Sequence, residues 1–353
     1  MVSLGKSKDK KRSRERSMRK HLAGLAILAL VSSAPALAQA TYAPARTADG
    51  RPDLQGFWTN TSLTSLERSA QFKDLVIPAD QAAKLEASRL AANIRADAPT
   101  DPNSGAPKRG QDVGGYNNAY VDAGLHYATI NGQKRSSWIV DPPNGKIPYT
   151  ASGKKAFDDG LHFVRNTFDG PESRPMAERC LVGFGSTGGP PMINVMYNNT
   201  YQFVQTAENV LINVEMNHDA RIIPLGDANT AVYQWLGRSK GKWEGDTLVV
   251  ETTNFHPGES LRTFFAASYL LSPDARVTEK FSRISDSEIL YDFTVNDPKL
   301  FSQPWRAEMI FNKSAQPAYE YACHEGNHAL PGILAGAREN EKLGMANYAE
   351  ESE

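Results

Sequence analysis

From Tyr197 to Cys323 apolar and polar residues alternate in eight short runs: Tyr201–Gln205, Asn209–Met216, Arg221–Leu225, Thr247–Thr253, Val277–Arg283, Glu288–Val295, Trp305–Phe311 and Ala318–Cys323. A period of two sends successive side chains to opposite faces, so each run reads as a strand with one buried face. The turns Thr206-Ala207-Glu208-Asn209, Trp243-Glu244-Gly245-Asp246 and Ser285-Asp286-Ser287-Glu288 are short enough to join neighbours as antiparallel hairpins. About eight strands in a meander suit a closed barrel, which removes exposed edges and encloses a space for one small ligand.

The region before the barrel reads differently. Arg51 to Asn60 is a turn leading into a strand start with Gly56 and Trp58 two apart, the way lipocalin-like barrels often begin. Pro78 to Ile94, with Asp80 as its cap, reads as an amphipathic helix. Residues 98–124 are rich in Pro, Gly, Asn and Asp and read as an irregular loop. Ser136 to Tyr149 carries a hairpin signal around Asp141-Pro142-Pro143-Asn144-Gly145, Ser152 caps a helix to about Phe163, and Gly183 to Pro191 reads as a connecting loop. The predicted fold class is mainly β with some α: an antiparallel meander closing into a lipocalin-like β-barrel over residues 196–330. A helix- and loop-rich segment over 41–195 packs on it, and a tail over 331–353 is helical and then disordered.

The apolar run Leu22 to Val31 follows Arg19, Lys20 and His21 and precedes the small-residue tract Ala34 to Ala40, the layout of a secretory signal cleaved near Ala38 or Ala40. Met18 opens a compact signal by itself, so the true start is placed there and the basic stretch Lys6 to Arg16 before it. Roughly ten apolar residues fall short of the about 20 that span a bilayer, so no membrane segment is expected after cleavage. The expected location is periplasmic or secreted. Residues 41–353 carry 30 Lys plus Arg against 38 Asp plus Glu. That net acidity, without a basic and aromatic cluster, argues against nucleic acid as a partner. Oligomeric state is left open. In an oxidising compartment Cys180 and Cys323 either pair across a long loop or stay as two buried thiols.

Asp141-Pro142-Pro143, Arg179-Cys180-Leu181, His218-Asp219-Ala220-Arg221, the stretch Gly241 to Phe255, and Tyr321 to Asn327 give the chain its likeness to other proteins. With these motifs it resembles a widespread family of exported bacterial proteins without an assigned function. The resemblance covers most of the chain after the signal and carries over no catalytic residue. At the position matching His328 the family often has Tyr.

Three groups of residues carry possible chemistry. His324-Glu325-Gly326-Asn327-His328 satisfies the pattern in which two His one helical turn apart bind zinc and the Glu activates water. Gly326 and Asn327 are poor helix formers and Pro331 follows, so zinc hydrolysis through His324, Glu325 and His328 is an alternative only. The leading expectation assigns no metal and no cofactor. Along Asn209 to Arg221 the alternation places His218 on one strand face and Glu215 and Asp219 on the other. With the apolar face inward, His218 is either a satisfied core imidazole or a neutral base in an apolar pocket; the reversed face puts Glu215 and Asp219 in the cavity.

The expected catalytic set is therefore His324, Glu325, His218, Glu215 and Asp219, with Arg221 and Arg306 as anion holders. Trp58, Trp305 and Tyr116 are placed as substrate contacts, against a bland reading as core or turn residues. The function expected first is a cofactor-free lyase, hydratase or isomerase acting on a small, partly apolar molecule in the barrel. A periplasmic binding or carrier protein with the same barrel is the alternative. No Gly-x-Ser-x-Gly elbow, thiol nucleophile motif or dinucleotide fingerprint occurs.

Overall fold

A computed structural model describes residues 42–99, 103, 105, 121–226, 232–258, 261–262 and 268–347. The signal region, Tyr116 and most of the loop over 98–124 lie outside them. In chain order the elements are β1 (Gly56–Thr59), β2 (Val76–Ile77), α1 (Ala79–Ala96), β3 (Thr129–Ile130), β4 (Gln133–Arg135), β5 (Ile139–Asp141) and α2 (Ala151–Asn166). There follow β6 (Thr200–Gln205), β7 (Asn209–Val214), β8 (Ala220–Pro224), β9 (Arg238–Glu244) and β10 (Thr247–Thr253). Then come β11 (Leu261–Arg262), β12 (Tyr269–Leu270), β13 (Arg276–Ser285), β14 (Glu288–Asn296), β15 (Trp305–Lys313) and α3 (Ala329–Leu343).

The long strands fall where the alternation puts them, and burial follows the same period. On β14, Ile289, Tyr291, Phe293 and Val295 are buried while the residues between them are not. The main sheet runs β8-β7-β6-β1-β15-β14-β13-β10-β9, all pairs antiparallel, and forms a nearly closed barrel. It is a meander with one insertion, since β1 slips between β6 and β15, the two ends of the eight-strand run. Further along the same edge of β15 that takes β1, β5 pairs through Arg306↔Asp141 and Ala307↔Ile139, opposite the edge held by β14. Two strands of the sheet thus come from the chain before residue 196.

Inserting β1 makes the number of strands around the barrel odd, and an odd antiparallel ring must contain one parallel seam. That seam falls between β8 and β9, whose backbones are linked by the parallel bridge Leu225↔Gly241 just past the end of β8. Close approach is possible because Gly241 has no side chain. A Cβ there would lie 2.9 Å from Ile223 Cγ2 and 3.0 Å from Leu225 Cδ2.

Four local expectations need correction. β9 was not read as a strand, because its outward Lys240, Lys242 and Glu244 hide the period and its one buried residue is Gly241. Ala318–Cys323 was read as the last strand but has no ladder partner and crosses the barrel as a strap. The hairpin around Asp141 to Gly145 does not form, since β5 pairs with β15 instead. Helix caps also shift. Thr150 rather than Ser152 caps α2, its Oγ1 accepting from Gly153 N at 2.9 Å, and α1 begins after Pro78 with Asp80 in its first turn. No helix among the described residues is long and apolar enough to cross a membrane.

The barrel interior is packed with rings. Trp58, Tyr201, Phe203, Phe281, Tyr291, Phe293, Trp305 and Phe311 are all buried, with contacts such as Phe281–Tyr291 at 4.9 Å and Tyr201–Phe311 at 5.0 Å between centroids. The segment Gly183 to Ile193, expected as a plain connection, enters this core. Tyr201 Oη donates to Thr187 O at 3.0 Å, Met192 N donates to Tyr291 Oη at 2.9 Å, and Ser186 Oγ and Tyr269 Oη share a hydrogen bond of 2.6 Å. Its backbone groups find partners among inward tyrosines, which is how a Gly, Ser and Pro stretch is tolerated inside a barrel. Side chains and this segment fill the space that the sequence reading had reserved for a ligand.

Candidate functional site

At the centre of the barrel sits a charged pair. Arg221, on β8, and Glu279, on β13, are 3% and 0% exposed. Arg221 Nη1 and Nη2 donate to Glu279 Oε1 and Oε2 at 2.9 and 2.5 Å, a two-pronged pairing. Tyr291 Oη adds a third donor to Glu279 Oε1 at 2.6 Å. Burial disfavours the Arg221 charge, yet the facing Glu279 outweighs it and holds the guanidinium pKa above its ordinary value. Burial and then the Glu279 charge push the Tyr291 phenol well up. Arg221 is therefore committed to an internal partner, a correction to its expected role as a free anion holder. Glu279 escaped notice, although its phase between Val277 and Phe281 in an alternating run marks it as an inward acid.

The turn after β7 rearranges the next group. The strand stops at Val214, and Asn217 and His218 both take positive φ, 59° and 52°. His218 is thereby turned outward and exposed, so of the two faces left open it is not the inward one, and its Nε2 accepts from Tyr321 N at 3.2 Å. Glu215 and Asp219 are the buried members. Glu215 Oε2 accepts from Thr200 N at 3.0 Å and its Oε1 from Tyr319 N at 3.2 Å. Asp219 Oδ2 accepts from Gly183 N at 2.7 Å, and Oδ1 from Asn217 Nδ2 at 3.1 Å. Burial raises the Asp219 pKa, outweighing these donors and the charges of Arg262 and His218.

The remaining expected residues do not join this group. His324, Glu325 and His328 are exposed and lie in turns before α3, for which His328 is the N-cap, so they do not share a helix face. Among the described residues no group of three or more His, Cys, Asp or Glu could hold a metal ion. Arg306 lies outside the barrel and pairs with Asp292 and with Glu308. Trp58 is core, its Nε1 donating to Leu54 O at 2.9 Å, and Trp305 is core among Tyr269, Phe293 and Phe301. Tyr116 lies outside the described residues.

What the structure does assemble is a cleft where β1 and β7 end and β6 begins. About 820 Å³ in volume, it is bounded by Thr59, Thr200 and Glu215 on the barrel side, by Tyr197 to Asn199, and by the strap from Ser314 to Ala322. A second cleft of about 450 Å³ adjoins it across Tyr197, Tyr321 and Ala322 and reaches Phe184 and Cys323. The Phe184 and Tyr197 rings are parallel, their centroids 6.3 Å apart. The strap is tied down at three places: by Glu215 at Tyr319, by His218 at Tyr321, and by the disulfide Cys180–Cys323. Of the two readings open for the cysteines, the bridge is the one present.

Asn198 and Cys180, which line the two clefts, and Asn217 and His218, in the turn that ties down the strap, have positive φ. The left-handed region is tolerated by Asn but costs His and Cys conformational energy, a pattern that gathers where a fold is shaped for a task. Tyr319 and Tyr321 escape a reading of the sequence, because their alternation predicts a strand there. Comparison of the chain with protein-family models, curated proteins and solved structures finds no match.

Proposed function

We propose that this is an exported protein that binds a small, partly apolar molecule in the aromatic cleft beside the barrel, as a carrier or binding protein rather than as an acid–base enzyme. The cleft carries the reading. Its volume lies within the range of small-molecule sites, and it combines tyrosines with a few polar groups held in place by backbone hydrogen bonds. Of the residues expected to do acid–base chemistry, Glu215 accepts from β6 and from the strap, His218 accepts from the strap, Arg221 is paired, and His324 and Glu325 are not among the described cleft residues. The disulfide supports an oxidising compartment.

The methionines offer a built-in test. Met196 lines the cleft, whereas Met192 and Met309 are fully buried in the barrel core. In protein labelled with ¹³C at the methionine methyl groups, titration with a panel of small aromatic and aliphatic compounds should shift Met196 in a saturable way. Shifts at Met192 and Met309 with Met196 unmoved would place the ligand inside the barrel and overturn the assignment of the cleft. Silence at all three across the panel would overturn the binding reading.

A further inference from the structure

We infer that the cleft selects an organic cation, an ammonium group on an apolar or aromatic body. This inference rests on the binding reading above and names the ligand class for the same site. Two independent features of the wall support it. Tyr197, Tyr319 and Tyr321 supply aromatic faces, whose negative quadrupole attracts an ammonium group more strongly once water is displaced. The charged side chains on the same wall are all acids: Asp122, Glu215 and Glu320. Among the described residues bounding the two clefts there is no Lys, Arg or His.

Glu215 is the informative acid. It is 4% exposed, and its two hydrogen-bond donors are neutral backbone amides rather than a cation. This differs from Glu279 and from Glu178, which answer Arg221 and Arg174. With no counter-charge on it among the described residues, this buried carboxylate leaves a negative potential at the mouth of the cleft, and exposed Asp122 and Glu320 extend it outward. An anionic ligand would meet three like charges and, among the described lining residues, no donor cation. A neutral ligand would gain the rings but not the field.

The test uses three probes of similar size on the full chain, followed at Met196: benzyltrimethylammonium, benzyl alcohol and phenylacetate. The cation should bind about tenfold more tightly than the alcohol, with phenylacetate weakest. The double variant Asp122→Asn/Glu320→Gln changes only exposed side chains and should keep the wild-type melting temperature. It should lose several-fold in affinity for benzyltrimethylammonium and leave benzyl alcohol unchanged. Glu215→Gln should lose more, but it also disturbs the strap, so the exposed pair decides. If benzyl alcohol or phenylacetate binds as tightly as the cation, and Tyr197→Ala abolishes that binding, the cleft is a binding site and the cation inference is wrong. If no probe moves Met196 up to millimolar concentration, the inference fails, and an equally silent wider panel brings down the binding reading with it.

Discussion

The Arg221–Glu279 pair allows the most direct test of how the barrel is held together. Replacing Arg221 by Met keeps most of the side-chain volume and leaves the Glu279 carboxylate in a fully buried setting with Tyr291 as its remaining charge-independent donor. Removing one partner of such a pair costs about 3 to 5 kcal/mol, since the surviving charge keeps its desolvation penalty and loses its counter-charge. Two short bonds in a forked geometry place this case toward the upper part of that range. Glu279→Leu strands the guanidinium, and its cost should be similar. The double variant Arg221→Met/Glu279→Leu removes both charges together. Its cost should therefore fall well below the sum of the single variants, with a coupling of about 2 kcal/mol or more. Urea unfolding followed by tryptophan fluorescence measures all four proteins, on condition that the m-value stays constant. A loss below about 1 kcal/mol for Arg221→Met, or strictly additive single variants, would refute the claim that the pair acts as a buried unit.

Other perturbations probe the remaining parts. The disulfide spans 143 residues, for which the chain-entropy relation gives about 5 kcal/mol; Cys180→Ser/Cys323→Ser should lower the urea-derived stability by several kcal/mol, and a loss below about 1 kcal/mol would mean that the strap opens without the barrel noticing. Gly241→Val puts a branched side chain into the parallel seam against Ile223 and Leu225 and should cost about 1 to 3 kcal/mol or more, whereas Gly336→Ala, in α3 with nothing near it and an ordinary helical φ, should cost nothing; equal costs would contradict the seam. Asp219 has a raised carboxyl pKa, so the folded state keeps its proton to higher pH than the unfolded chain does. Stability should then fall as pH rises through the window above the ordinary carboxylate value of about 4, and Asp219→Asn should flatten that part of the profile; an unchanged slope would show that the burial of this group has been misjudged.

Much of the architecture is legible in the sequence because a barrel strand states its own period. Tyr201–Gln205, Asn209–Val214 and Glu288–Val295 alternate, since one face meets a packed core and the other meets solvent. Legibility fails where a strand has no apolar face to show. In β9 the inward position is a glycine and the lysines outside carry no signal. The tyrosines at 319 and 321 produce a false alternation, because a strap bound by side-chain acceptors also sends alternate residues to opposite sides. Glu279 was readable from its phase, but its partner was not, since Arg221 lies 58 residues away.

Most of the segments that become strands, their pairing mainly with chain neighbours, and two cysteines able to join distant parts of the chain are readable from residue order. These are local properties: side-chain period, turn length and residue type act over a few residues. Tertiary structure alone decided that β1 closes the ring and forces the parallel seam, and that a glycine-rich connection fills the interior. It also decided that His218 faces out while Glu215 faces the cleft. Each of these depends on which surfaces the folded chain brings together, or on a two-residue reversal of φ at Asn217 and His218. A one-residue change of phase exchanges the two faces of a strand, so residue spacing can offer candidate groups but only packing selects which of them share a site.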